Sequence, residues 1–252
     1  MAKTNPAFGN TPDFGGLLAS MSSNSFRNGF SVLDTETTGL DRDARICTAA
    51  FIALGHTFGL PEANRLLVTA DPQVPVHEAA SRVNGFIRDP GRPLGHYEGK
   101  TNLFGLLPFS DSIPLVSFVM TERIPVCHNA HFDIWNLFSE YQRNMEEMAR
   151  NSLTLEAKVS MFSARIPFAI CTKLTFASML GLSVTAEYRS ETSLNKLCGH
   201  LSVDLSARAD GHRAMADAEL AAECFRRLVS DFPEHVQVLR TKDILQHVLE
   251  AE

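Results

Sequence analysis

Two carboxylates, Asp34 and Glu36, stand either side of Thr35 in the stretch SVLDTETTGL (Ser31–Leu40). In a strand, residues two apart face the same side, so the acids project together and Thr35 faces away. Like charges this close repel and resist burial. A divalent cation resolves the conflict, because hard ions such as Mg²⁺ take oxygen ligands. A third acid, Asp133, lies in CHNAHFDIW (Cys127–Trp135), just after His128 and Asn129. A fourth, Asp217, follows His212 in ADGHRAMADAELAAECF (Ala209–Phe225). On one continuous helix a five-residue step turns side chains roughly 140° apart. If both serve one site, His212 stands before the helix or in a distorted first turn, and Asp217 stands on the helix proper.

Taken singly, each of these residues has a plainer reading. An Asp-x-Glu pair at a strand end commonly meets water. Asp133 near a helix start is favoured there by the helix dipole alone. His128 reads equally as a hydrogen-bonded structural histidine and Asn129 as a turn former. His131 reads as a surface or packing residue. Glu219 and Glu223 read as solvent-facing charges on an amphipathic helix.

The elements that must position these groups follow from periodicity and turn signals. GFSVLDTE, Arg45–Gly55 and Asn64–Ala70 read as three strands of an antiparallel meander. VPVHEAASRVNGF reads as a short helix ending near Gly85, and the Gly- and Pro-rich stretch Arg88–Pro108 as an irregular surface insertion. SIPLVSFVMTE follows as a helix and Ile124–Ala130 as a buried strand. FDIWNLFSEYQRNMEEMAR is helical, FAICT a last strand, and KLTFASML, SLNKLCGHL and RAMADAELAAECFRRLV three more helices. Strands first, then strands alternating with helices, indicate an α/β sheet of mixed strand direction. Residues 1–29 read as a flexible arm, 30–230 as the domain, and 231–252 as a helical tail. Ile244, Leu245, Val248 and Leu249 make an apolar stripe on that tail, which suits packing on the domain or docking to a polymerase or a second copy.

The ordered set D-x-E-T-T-G, H-N-A-x-F-D and H-x-x-x-x-D resembles the DEDDh (DnaQ-like) 3′→5′ exonuclease family, which includes the proofreading epsilon subunit of DNA polymerase III. The resemblance runs from about Phe30 to Leu228. It implies a ribonuclease H-like fold, with a central five-stranded mixed β-sheet flanked by α-helices. It also implies removal of nucleoside 5′-monophosphates from the 3′ end of DNA with two Mg²⁺ or Mn²⁺ ions. Asp34 then matches the ligand shared by both ions, Glu36 and Asp217 further ligands, Asp133 the fourth acid and His212 the general base. The backbone near Thr35 and Thr37 would contact the terminal nucleotide, Leu40 and Phe132 its base, and His128 and Asn129 would line the pocket. Where the family often carries His-Gly-Ile, this chain has Asn84, Gly85 and Phe86. Phosphodiester hydrolysis suits the residue types. Two ions about 3.5–4 Å apart stabilise the attacking and leaving oxygens, and a histidine accepts a proton near neutrality.

Composition narrows the setting. The 252 residues carry a net charge of −6, which argues against a protein that coats nucleic acid by bulk positive potential and suits a cation-holding acidic site. No apolar segment reaches membrane-spanning length, and the N-terminal stretch lacks the apolar core of a secretory leader. Five scattered cysteines without a CxxC pair suit reduced, buried thiols in a cytoplasmic protein. The expectation is a DNA-directed exonuclease of proofreading or repair that acts on single strands. The alternatives are an exoribonuclease of the oligoribonuclease or RNase T type and an inactive module that binds nucleic acid or a polymerase.

Overall fold

The computed structural model describes residues 13–21, 29–55, 65–147, 153–182, 190–206 and 213–250. Strand β1 (Phe30–Thr37) is its spine. It pairs antiparallel with β2 (Ile46–Leu54), which pairs antiparallel with β3 (Arg65–Thr69). On its other edge β1 pairs in parallel with β7 (Ile124–Cys127), and β7 with β8 (Phe168–Cys171). A sixth strand, β9 (Val238–Arg240), closes that edge antiparallel to β8. The main sheet order is therefore β3-β2-β1-β7-β8-β9, six strands where five were expected. The additional strand comes from the expected helical tail, so the sheet continues beyond residue 230.

Helices cover both faces: α1 (Phe14–Met21), α2 (Glu78–Asn84), α3 (Ile113–Met120), α4 (Ala130–Glu147), α5 (Leu155–Arg165), α6 (Thr172–Met179), α7 (Leu194–His200), α8 (Ala214–Asp231) and α9 (Thr241–Glu250). Strand alternation divides the core in two. Leu33 of β1, with Ala49 and Phe51 of β2, packs beneath α3, α4, α5 and α9. Phe30 and Val32, with Ala50, Ile52 and Leu54, pack beneath α1, α7 and α8. Every residue of β2 is buried, as a strand covered on both faces requires. Buried Ala214, Ala218, Ala221 and Ala222 let α8 lie close on the sheet.

Two stretches are more ordered than their composition suggests. Within the expected flexible arm, α1 buries Phe14 and Leu17, and Phe14 meets Phe30 and Phe225 at ring-centroid distances of 6.4 Å. Within the expected irregular insertion, β4 (Phe86–Ile87), β5 (Gly95–Tyr97) and β6 (Lys100–Asn102) form a small second sheet. Buried Asn102 organises it: its amide donates to the carbonyls of Asp89, Arg92 and Pro93 at 2.9–3.1 Å. Asp71 anchors the insertion through the Arg88 guanidinium at 2.6 Å and the Gly105 amide at 3.1 Å. Arg88 Nε and the amides of Gln73 and Gly105 outweigh burial and hold Asp71 below the usual carboxylate range. A fully buried carboxylate, Glu140, ties α4 to the start of β2 by accepting from Arg45, Arg143 and the Ile46 amide at 2.9–3.2 Å.

The five cysteines are buried and free. Among the described residues no helix is long and apolar enough to cross a membrane.

Candidate metal centre and active site

The site forms at the C-terminal end of β1, where ligand sites of α/β sheets usually lie. Even-numbered residues of β1 face α8, so Asp34 and Glu36 continue the face that Phe30 and Val32 begin. Asp217 meets them from the first turn of α8, a position the helix dipole favours for a carboxylate. Ligand oxygens of Asp34, Glu36 and Asp217 all lie within 4.8 Å of one another. Oxygens on opposite sides of one octahedral Mg²⁺ are about 4.2 Å apart, from bonds of roughly 2.1 Å each. The trio is therefore gathered on the scale of one ion's coordination shell, and its all-carboxylate chemistry fits a hard divalent cation. The β1–β2 register shifts between Glu36 and Thr37, an irregularity of the kind that re-aims side chains beside active sites.

Asp133 stands outside this trio. It lies in the first turn of α4, on the other layer, and is buried. Thr35, the residue that sequence alternation turns away from the acids, points to α4 and meets it there. The Thr35 hydroxyl donates to Asp133 Oδ1 at 2.7 Å, and the Thr35 amide donates to the same oxygen at 3.1 Å. Burial pushes the Asp133 carboxyl up to about 7, against the opposing hydrogen bonds from the Thr35 hydroxyl and amide and the Asn129 backbone. Asp133 accepts from both the amide and the hydroxyl of Thr35, while Thr35 also lines the cleft beside the trio, where the sequence expectation put the terminal nucleotide against the backbone near Thr35 and Thr37. Alternation places Thr35 on the face away from the acids, but its partner there, Asp133, lies 98 residues further along the chain, and local pattern does not give it.

The remaining expected residues divide into two groups. Thr35, Thr37, Leu40 and Phe132 line one cleft of about 420 Å³ beside the trio, together with Glu36, His77, Val83 and Asn84. Leu40 is 90% exposed at its rim, a large apolar side chain left to water. Thr37 donates its hydroxyl to the Gly39 carbonyl at 2.6 Å. A Cβ at Gly39 would come within 3.1 Å of the His77 ring, so this turn runs close beneath that imidazole. Asn84, where the family pattern has histidine, donates its amide to the Thr37 carbonyl at 3.0 Å and so ties α2 to the end of β1. His77, Val83 and Asn84 were not expected at the site; only the last was marked in the sequence, as a departure from the family pattern.

His128 and Asn129 do not line that cleft. His128 Nδ1 pairs with the Thr172 hydroxyl and Nε2 with the Thr192 carbonyl, both at 3.0 Å, which joins the end of β7 to α6 and to the segment before α7. The Asn129 carbonyl accepts from the amides of Phe132 and Asp133 and so starts α4. His212 lies outside the described residues. The helix carrying Asp217 begins after it, at Ala214.

No protein-family model matches the chain, and no curated protein does. Solved structures resemble it at low identity. The nuclease domain of 3′hExo, a DEDDh family member bound to rAMP, has a TM-score of 0.56 at 12% identity, over 83% of this chain and 94% of that one. S. pombe Pop2p in its Mg²⁺- and Mn²⁺-bound form gives 0.54 at 14% identity, over 88% and 89%. Cell-death related nuclease 4 gives 0.54 at 15%, over 83% of this chain and 66% of its own, so the chain spans a little under two thirds of that protein. These likenesses establish the fold as ribonuclease H-like.

Proposed function

We propose that this protein is a metal-dependent 3′→5′ exonuclease of the DEDDh type. The observation that carries the reading is the convergence of Asp34, Glu36 and Asp217 within 4.8 Å on a fold shared with the DEDDh nuclease domain of 3′hExo. Two Mg²⁺ or Mn²⁺ ions held by these acids, with Asp133 as the fourth, would stabilise the charge that develops on the attacking and leaving oxygens. His212 would accept the proton of the attacking water. The cleft floored by Thr37 would take the 3′-terminal nucleotide, with Leu40 and Phe132 against its base. Stacking and apolar contact of this kind tolerate any base.

Single-stranded DNA is the proposed substrate, in proofreading or repair, and the five reduced cysteines suit a cytoplasmic setting. The sequence motif DTETTG, similar to the DNA-acting epsilon subunit, supports DNA. One observation favours a second reading, exoribonuclease: the similar 3′hExo domain is bound to rAMP. Matched DNA and RNA oligonucleotides, labelled and incubated with Mg²⁺, test both. The expected result is stepwise shortening of DNA from the 3′ end, abolished in Asp34→Asn. Faster degradation of RNA would transfer the reading to exoribonuclease, and equal activity of parent and Asp34→Asn would remove it.

A further inference from the structure

β7 pairs with β1 only from Phe30 to Val32. Beyond that point the β7-side edge of β1 has no strand partner, and a buried main-chain amide there needs another acceptor. Asp133 supplies it for Thr35. The same carboxylate oxygen also takes the Thr35 hydroxyl, so two donors of one residue converge on a single acceptor atom. Thr35 is 6% exposed and Asp133 3%, so neither bond competes with bulk water. The trio stands on the α8 face of β1 and Asp133 belongs to α4 on the other face. Thr35 therefore links the strand that carries Asp34 and Glu36 to Asp133 on α4.

We infer that Thr35 is a positioning residue: by fixing Oδ1 of Asp133 through its hydroxyl and amide, it orients the fourth carboxylate toward the trio of Asp34, Glu36 and Asp217. The inference deepens the exonuclease reading and rests on it for the role of Asp133. The amide bond anchors the carboxylate to the strand whatever side chain stands at this position. The hydroxyl bond depends on the side chain, so substitution isolates it. Threonine suits the role because its branched Cβ limits the rotamers available to the hydroxyl. The hydroxyl and amide of Thr35 are then engaged by Asp133 and make no demand on the substrate.

The test uses Thr35→Val, which keeps shape and removes the hydroxyl, and Thr35→Ser, which restores it. Bonds that orient metal-site ligands typically carry about 10–100-fold in affinity or activity. Thr35→Val is expected to lower kcat by about that factor with KM for the oligonucleotide unchanged, and Thr35→Ser to recover most of the loss. Calorimetry with Mn²⁺ alone is expected to show weaker binding in Thr35→Val, recovered in Thr35→Ser. Adding Thr35→Val to Asp133→Asn should bring no further weakening, which also separates positioning from general loss of fold. If KM rises while kcat holds, Thr35 contacts substrate and the inference is overturned. Unchanged Mn²⁺ affinity in Thr35→Val overturns it as well. Should the parent degrade no nucleic acid, the exonuclease reading falls alone, because the Mn²⁺ titrations still decide the role of Thr35.

Discussion

Asp217 and His212 are close in sequence yet are assigned separate tasks, and separate measurements distinguish them. Asp217 is one of three acids sharing a potential ion, so Asp217→Asn is expected to weaken Mn²⁺ binding and activity together. On the proposed reading His212→Ala removes a proton acceptor and none of the three carboxylates. It is expected to lower the single-turnover rate by about 10²–10⁴-fold and leave calorimetric Mn²⁺ affinity unchanged. Parallel loss of ion binding in both variants would place His212 among the ligands instead. At this scale the acids were legible because strand alternation is strict: positions 34 and 36 had to share a face, and Asp217 is the third carboxylate that makes that face a candidate ion site. The roles of Thr35 and His128 were not legible. Each depends on a partner far away in the chain, Asp133 for one and Thr172 and Thr192 for the other, and local pattern carries no information on such pairs.

His131 illustrates how an element records its packing. It lies on α4, with His247 of α9 at a ring-centroid distance of 5.7 Å. Burial first, then the charges of His247 and of Lys173 on α6, push its imidazole down to about 4. The fold therefore favours the neutral ring, whereas the unfolded chain protonates near 6.5. Stability from this group is complete above pH 6.5 and is lost as the pH falls to 4, with an effect of roughly 1–3 kcal/mol. His131→Gln should remove that slope. Urea titrations across this window are expected to show the stability gap between parent and variant closing toward low pH, and a constant gap would refute the assignment. The sequence marked α4 plainly, because eighteen residues of helical period leave little ambiguity. It missed β9, only three residues long, in a tail where the helical stripe dominates. It also missed the strands of the insertion, of two or three residues each. Such segments are extended because Asn102 and Asp71 hold them, and their own β propensity contributes little.

Across the whole molecule, the tail decides whether the two readings of its apolar stripe can coexist. α9 packs on α4 and α5, with Ile244 and Leu245 fully buried, while β9 buries Val238 and Leu239 at the β8 edge. The Thr241 amide donates to the Pro167 carbonyl at 3.0 Å, which locks the β9–α9 corner to the start of β8. Four buried aliphatic side chains at about 1.5–3 kcal/mol each amount to roughly 6–12 kcal/mol, close to the full stability of a domain, about 5–15 kcal/mol. A chain ending at Phe232 is therefore expected to be unfolded or insoluble, with loss of the cooperative urea transition followed by circular dichroism. Substitutions at exposed Gln246 should change stability by no more than about 0.5 kcal/mol. A helix that existed to dock a polymerase would give the reverse pattern. Its removal would leave a domain as stable as the parent, and its apolar stripe would be open to solvent before the partner arrives. Ile244 and Leu245 of the stripe are already occupied by the protein's own core, so what α9 leaves to a partner is its outer side, where Gln246 and Glu250 lie, and the part-exposed Val248 and Leu249.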